Sequence, residues 1–347
     1  MNISELSRSP ATCFGNGIDS DVVISSRVRL ARNIAEYPFV SRLSNSDSNL
    51  LIQGIEPSIR AALGTDSATF YMNKLSETER QALVERHLIS KDFGMSSLVL
   101  SAACVAADER ACVMINEEDH LRIQAISPGL DLESTLQKCQ ELDRNLESKT
   151  VYAFDDKWGY LTACPSNVGT GMRASVMLHL PALALTNQVE KVRHSLEKIT
   201  LAVRGLFGEG QPMQGDFFQI SNQITLGYTE EALVQELMDV IPSIVLYERK
   251  AREHLFNENK DSITDRTNRA LEILRNTQSI KTGETLSLLS NVRLGVCMGL
   301  INNIDRSVID TLYIQVQPAH LQLLDGSELD ASGRDFCRAK MLRKLLA

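Results

Sequence analysis

The sequence predicts an α+β fold: an antiparallel sheet flanked by helices, followed by a smaller all-helical region. Short strand-like runs are joined by hairpins or irregular loops, without the strict strand–helix alternation of a parallel sheet. An amphipathic helix is written into the middle of the chain, where Leu132, Leu136, Cys139, Leu142 and Leu146 form one apolar stripe. From about Thr229 glycine becomes sparse and helical periodicity dominates to the end. A boundary is set near residue 255, dividing 1–255 from 256–347.

In order along the chain, Asp21 to Arg32 begins as a β-rich run and continues into a basic segment. Ser76-Glu-Thr-Glu79 reads as a capping box and opens a helix to about His87. Ser97 to Cys104 and Ala111 to Asn116 read as strands, followed by an acidic cluster and the alternating run His120 to Ile126. The striped helix begins at Asp131. Val151 to Phe154 and Tyr160 to Cys164 look like a hairpin. The loop Pro165 to Gly171 is expected to open a helix that Pro181 interrupts. After the Gly-rich loop Gly205 to Gly215, Phe217 to Thr225 reads as a strand.

Composition narrows the function classes. With 43% apolar and 23% charged residues among 347, the chain is an ordinary globular protein, neither disordered nor coiled coil. A formal charge of −8 gives no general attraction for nucleic acid or anionic lipid, so any basic patch must be local. No stretch is long and apolar enough for a membrane span, and Met1 to Ser20 lacks a signal peptide's apolar core, which predicts a cytoplasmic protein. The seven cysteines are odd in number and scattered without a C-x-x-C pair, which argues against a disulfide framework or structural zinc.

The phosphate motif G-x-x-x-x-G-K-[ST] is absent, as are H-E-x-x-H and G-x-S-x-G. Gly169-Thr-Gly171-Met-Arg-Ala174 matches the dinucleotide pattern G-x-G-x-x-A, but a loop separates it from the preceding strand. Arginines instead stand beside glycine, serine or strand ends: Arg27, Arg29, Arg122, Arg173 and Arg204. A lone surface arginine is usually a solvated charge. Arg27 and Arg29 alternate in one extended run and Arg122 lies in another, so each run projects its cations to one face. Guanidinium forks bind phosphate oxygens bidentately, so several of them converging could hold a triphosphate without a P-loop. Asn116-Glu-Glu-Asp-His120 reads equally as a polar β-turn, and Cys164 as a small buried residue.

Asn116-Glu-Glu-Asp-His-Leu-Arg122, Cys164-Pro-Ser-Asn-Val-Gly-Thr-Gly-Met-Arg-Ala174 and Ser25-Ser-Arg-Val-Arg29 resemble, in the same order, the signature segments of the phosphagen (guanidino) kinases. The helical domain that such kinases place before the Ser-Ser-Arg segment is not seen, and extra helices follow the catalytic part. That combination resembles the bacterial protein-arginine kinases of the McsB type over residues 20 to 345.

The resemblance implies a phosphagen-kinase catalytic fold in 1–255. It implies a cytoplasmic enzyme that moves the γ-phosphoryl group of ATP, with Mg²⁺, onto arginine side chains of proteins in stress response and quality control. It places the nucleotide on Ser25, Ser26, Arg27, Val28, Arg29, His87, Arg122, Arg173, Ala174, Ser175, Val176 and Met177, and on Arg204, Gly205, Leu206, Phe207, Gly208 and Glu209. Glu118 would hold the target guanidinium, which is a poor nucleophile until a carboxylate orients it and accepts a proton. Cys164 would act as a thiolate near it, and Glu209 would be a second substrate carboxylate. Where relatives place a glutamate three residues after Glu209, this chain has Pro212.

In 256–347, Arg334-Asp-Phe-Cys-Arg338-Ala339 matches a phosphoarginine-binding pattern: Arg334 and Arg338 would take phosphate and Asp335 the guanidino N–H groups, with Ala339 closing the motif. Without the family pattern this is a helix end with scattered charges. Partners implied are proteins bearing exposed arginine, an activator protein, protease machinery and a second copy in a homodimer; nucleic acid, membrane and a protein-held metal are not expected. Two other functions compete: a kinase for free arginine or another small guanidine, and a phosphoarginine-binding adaptor that has lost catalysis.

Overall fold

The computed structural model describes residues 2–95, 100–205 and 215–347. Among them, strands β1 (Val23–Arg32), β2 (Ala68–Tyr71), β3 (Ala102–Val105), β4 (Ala111–Ile115), β5 (Leu121–Pro128), β8 (Met172–His179), β9 (Leu201–Arg204) and β10 (Phe217–Asn222) form one sheet. Its order is β2-β3-β4-β5-β1-β8-β10-β9, and every adjacent pair is antiparallel. A two-stranded ribbon of β6 (Phe154–Asp155) and β7 (Gly159–Tyr160) stands apart. The described helices are α1 (Ile3–Arg8), α2 (Asn45–Leu63), α3 (Glu77–Glu85), α4 (Lys91–Met95), α5 (Leu132–Glu147), α6 (Pro181–Leu185), α7 (Val189–Glu197), α8 (Glu230–Asn276), α9 (Thr282–Cys297), α10 (Arg306–Gln315), α11 (Pro318–Asp325) and α12 (Ala331–Leu345).

The sheet's two faces differ because side chains alternate along each strand. Val28, Leu30, Ile123, Ala125, Ala174, Val176 and Ile220 point to one face and join the main core with the stripe Leu132, Leu136, Cys139, Leu142 and Leu146 of α5. Among the described residues, the opposite face is covered mainly toward its two ends. Over β2–β4, Phe70, Met72, Cys112 and Met114 pack against Leu83 of α3, Ile3 of α1 and Ala319 of α11. Over β8 and β10, Met177 and Phe217 pack against Leu286 and Leu289 of α9 and Tyr313 of α10. In the middle, where β5, β1 and β8 lie side by side, Ile126 of β5 packs against Ala11, Cys13 and Ile314, and the positions beyond it toward Arg122 and Arg173 carry polar side chains.

One predicted element is corrected. The helix expected to follow Gly171 is strand β8, and Pro181 starts α6 at its first turn instead of interrupting a helix. Met172–His179 is rich in good helix formers, but it lies inside the sheet with all of its residues except Arg173 buried, and burial overrides propensity. The dinucleotide pattern falls with it: Gly169 and Gly171 precede a strand, not a helix N-terminus. Gly171 has φ +62°, and a Cβ there would lie 2.6 Å from the Ala31 carbonyl oxygen, so glycine lets the loop touch β1. At the expected boundary near residue 255 there is no loop; α8 runs through it and leaves helical geometry at Asn259.

Candidate active site

Strand register assembles the arginines. On β1, Arg27 lies opposite Ser175 of β8 and Ile126 of β5, Arg29 opposite Arg173 and Gln124, and Ala31 opposite Arg122. On the far side of β8, Gln219 of β10 lies between Met177 of β8 and Arg204 of β9. Residues directly opposed across strands share a face, so Arg27, Arg29, Arg122, Arg173 and Arg204 all project from the face whose middle the helices leave open. Arg32, three residues beyond Arg29, points the other way. It is buried, bonds Asp143 at 2.6 Å and stacks on Tyr160 at 3.5 Å, and it donates to the Thr170 carbonyl at 2.9 Å. Its role is to hold the 160–171 loop, not to bind ligand.

The electrostatics of this face ask for an anion. Burial, and then the neighbouring Arg27, Arg122 and Arg173, push Arg29 well below the ordinary arginine value. Burial likewise pushes Arg27 down to about 10, with Arg173 adding to it. Arginine keeps its proton in proteins, so these shifts measure positive charge that the fold does not compensate. Arg29 also has a buried Nε without a hydrogen-bond partner among the described residues. His87, at the end of α3 with φ +60°, is driven down to about 3 by burial and by Arg27, and stays neutral. It lines a narrow pocket with Ser25, Arg27, Ser175, Met177 and Gln219; Gln219 holds Arg27 at 3.0 Å.

Next to this pocket lies a polar cleft of about 290 Å³, lined by Arg29, Arg122, Arg173, Glu118, Cys164, Asp92, Ser166 and Asn167. The acidic turn between β4 and β5 forms one wall. Arg122 meets three carboxylates there, Glu117 at 3.0 Å, Glu118 at 2.9 Å and Asp119 at 3.3 Å. Burial alone would lower Arg122, but Glu117, Asp119 and Glu118 outweigh it and hold it above its ordinary value. The three acids differ in exposure: the Glu118 side chain is 46% exposed, Glu117 7% and Asp119 0%. Only Glu118 is free to meet an incoming group. The Cys164 thiol, 3.0 Å from the Ser166 hydroxyl, lines the same cleft.

Asp119 is a residue that the acidic cluster concealed. Its Oδ1 accepts from the Ala163 backbone N–H and from Asn33 Nδ2, both at 2.7 Å, while Oδ2 faces Arg122. It therefore ties the turn bearing Glu118 to the residue before Cys164. His120 completes the anchor: its Nδ1 accepts from the Ile34 N–H at 3.0 Å, so Nε2 carries the proton donated to the Pro38 carbonyl. Gln219, Asp92, Ser166 and Asn167 were also not singled out from sequence; Gln219 was reachable, because it lies at an alternate position in the strand-like run from Phe217.

Ser25, Ser175 and Met177 line the His87 pocket, whereas Ser26 is turned away and caps α5 through Asp131 N–H at 2.9 Å. Val28, Ala174 and Val176 point into the main core and contribute backbone only. Gly205 ends the described part of its loop; Leu206, Phe207, Gly208, Glu209 and Pro212 lie outside the described residues.

In the C-terminal region, α12 carries Arg334, Asp335, Arg338 and Ala339. Ala339 is core. Buried Arg338 donates Nε to the Val316 carbonyl at 2.8 Å and Nη1 to the Ile280 carbonyl and to Asp335, each at 2.7 Å. Arg334 donates to the Leu329 carbonyl at 2.7 Å and faces a polar cleft shared with Ser76, Glu77 and Gln81 of the α3 N-terminus. At the other end of α3, buried Glu85 accepts from the Ala319 and His320 N–H groups and from His320 Nδ1, so α3 and α11 are bolted together.

An arginine-lined face with a carboxylate and a thiol at its edge, on this antiparallel sheet, defines an ATP:guanidino phosphotransferase. The family model described as ATP:guanido phosphotransferase, C-terminal catalytic domain, matches residues 58–251, and that of the protein-arginine kinase McsB C-terminal domain matches residues 260–347. The chain is 42% identical to the protein-arginine kinase of Halothermothrix orenii, over 96% of this chain and 95% of that one. It is 43% identical to that of Symbiobacterium thermophilum, with the same coverage of each. The chain belongs to the protein-arginine kinase family. Among solved structures it resembles the duplicated taurocyamine kinase of Schistosoma mansoni with bound transition-state analog components, at 28% identity and a TM-score of 0.60. That match covers 68% of this chain and 34% of the duplicated one. Lombricine kinase, at 22% identity and a TM-score of 0.56, covers 75% of this chain and 72% of its own, and shares the fold. Among the described residues no helix is long and apolar enough to cross a membrane.

Proposed function

We propose that the chain transfers the γ-phosphoryl group of ATP to arginine side chains of proteins in the cleft between Glu118, Cys164 and Arg122. The observation that carries this reading is that Arg29, whose charge burial and neighbouring cations leave poorly compensated, lines the same cleft as the exposed carboxylate of Glu118. Arg27, Arg29, Arg122, Arg173 and Arg204 hold the triphosphate, which arrives with Mg²⁺ as part of the substrate, the ion supplying further charge neutralisation. Glu118 gives up its bond to Arg122, clamps the target guanidinium and takes its proton as the nitrogen attacks the γ-phosphorus and the bond to the β,γ-bridging oxygen breaks to release ADP. Arg122, between the acids and the other arginines, then faces the group in transit. Cys164 adds negative charge beside the guanidinium as a thiolate, without forming a bond to phosphorus. Phosphoryl transfer asks for alignment and charge compensation more than covalent chemistry, and this cleft offers both. Glu209 is the second substrate carboxylate in this reading.

Substrate choice tests the proposal against a kinase for free guanidines. With MgATP and equal molar arginine, a protein should acquire phosphate at least tenfold faster than the free amino acid. Faster turnover of free arginine would overturn it.

The family pattern also supports a phosphoarginine pocket at Arg334, Asp335, Arg338 and Ala339. Because Arg338 already braces two carbonyls, Arg338→Ala should lose both stability and phosphoarginine binding, whereas Arg334→Ala should weaken binding with the fold intact. Calorimetric titration of phosphoarginine checks this; binding by both variants at wild-type affinity would dismiss the pocket. A homodimer through the helical region, an activator protein and protease machinery belong to the same proposal.

A further inference from the structure

Asp92 is a carboxylate of the cleft to which the transfer reaction assigns no task. It lies in the first turn of α4, is exposed, and lines the cleft together with Glu118, Arg122 and Cys164. Glu118 and Asp92 are the carboxylates in that lining. The turn does not need Asp92 to close it, because Ser90 Oγ accepts from the Phe93 N–H at 3.1 Å. Among the described residues the Asp92 carboxylate has neither a hydrogen-bond nor an ion-pair partner.

Its position is fixed against the acidic turn. Ser90, the residue before α4, donates its hydroxyl to Glu117 at 2.5 Å, and Glu117 in turn pairs with Arg122 at 3.0 Å. Glu118 follows Glu117 and Asp92 lies two residues beyond Ser90, so the segments bearing the two cleft carboxylates are tied at one contact. A target guanidinium entering here meets Arg29, Arg122 and Arg173 in the same lining, and like charges brought together cost free energy unless negative charge faces them. Glu118 supplies part of that charge but shares it with Arg122 at 2.9 Å. A guanidinium also carries five N–H donors, of which one carboxylate takes two in a bidentate pair, leaving the others to find acceptors.

We propose that Asp92 is a further substrate-binding residue, its carboxylate accepting from N–H groups of the target guanidinium that Glu118 leaves free. The proposal rests on the reading of this cleft as the site of transfer to arginine. The probe is a peptide with one arginine among neutral residues. Asp92→Asn, which keeps the shape, should raise KM for this peptide about tenfold, the size of a charge-assisted hydrogen bond, with a smaller change in kcat and wild-type calorimetric affinity for ATP. Asp92→Glu, which keeps the charge, should recover part of the loss. The Asn variant should melt at the wild-type temperature, because no hydrogen bond among the described residues is removed. A wild-type KM in Asp92→Asn, a lowered melting temperature, or a loss that appears in ATP affinity instead would overturn the assignment. So would a raised KM confined to peptides with lysine beside the arginine, which would place the contact on a flanking residue. Failure of the wild-type protein to phosphorylate the peptide's arginine at all would instead sink the kinase reading of the cleft.

Discussion

Glu118→Gln is expected to keep nucleotide binding and to lose phosphoryl transfer by a factor of about 10² to 10⁴, the span of a positioned acid or base. The substitution preserves shape and removes the one exposed carboxylate of the acidic turn, while Glu117 and Asp119 still hold Arg122. Arg122 loses one of its three carboxylate partners and keeps two, so the loss should appear mainly in kcat with little change in the calorimetric affinity for ATP. Cys164→Ser gives the comparison. A hydroxyl retains the contact with Ser166 and removes only the thiolate charge, so its loss should be smaller than that of Glu118→Gln. Near-normal turnover in Glu118→Gln would mean that the guanidinium is held elsewhere, and a larger loss in Cys164→Ser would favour a covalent role for sulfur.

Asp119→Ala should destabilise the protein by about 3 kcal/mol or more and inactivate it as well. The fully buried carboxylate accepts from the Ala163 N–H and from one N–H of the Asn33 amide, whose other donates to the Leu161 carbonyl, and its removal leaves those two hydrogens unpaired in the interior. Because Ala163 precedes Cys164, the loop carrying the thiol loses its register against the acidic turn. Asp119→Asn should fall between, since an amide oxygen still accepts from both donors but turns an NH₂ toward Arg122. Urea denaturation together with kcat checks this. A stable, fully active Asp119→Ala would show that the two loops are positioned independently of this contact.

How much of this was legible in the sequence follows from distance along the chain. Alternation within β1 was enough to put Arg27 and Arg29 on one face, and the stripe on α5 was enough to place that helix. Convergence of Arg29, Arg122 and Arg173 was not readable from spacing, because it depends on β1 lying between β5 and β8, and only the family resemblance supplied it. The acidic cluster was visible as a turn. Which of its three carboxylates is buried is decided by Asn33 and Ala163, far away in sequence, so Asp119 passed unnoticed. Strand β8 was misread because Met, Ala and Leu favour helix locally, and nothing in that window reveals that it pairs on both edges, with β1 and β10. Arg32 was indistinguishable from its functional neighbours until its partners, Asp143 and Tyr160, were in place.

The central claim, that this chain phosphorylates arginine in proteins from ATP, is tested most directly by mass-spectrometric mapping. Purified protein is incubated with MgATP and an unrelated substrate protein, and peptides are sequenced under conditions that preserve acid-labile phosphate. The account predicts phosphate on arginine side chains with wild-type enzyme and near-complete loss of those sites with Glu118→Gln. Phosphate found only on serine, threonine or tyrosine, or no phosphate on protein while ATP is consumed with free arginine, would contradict it.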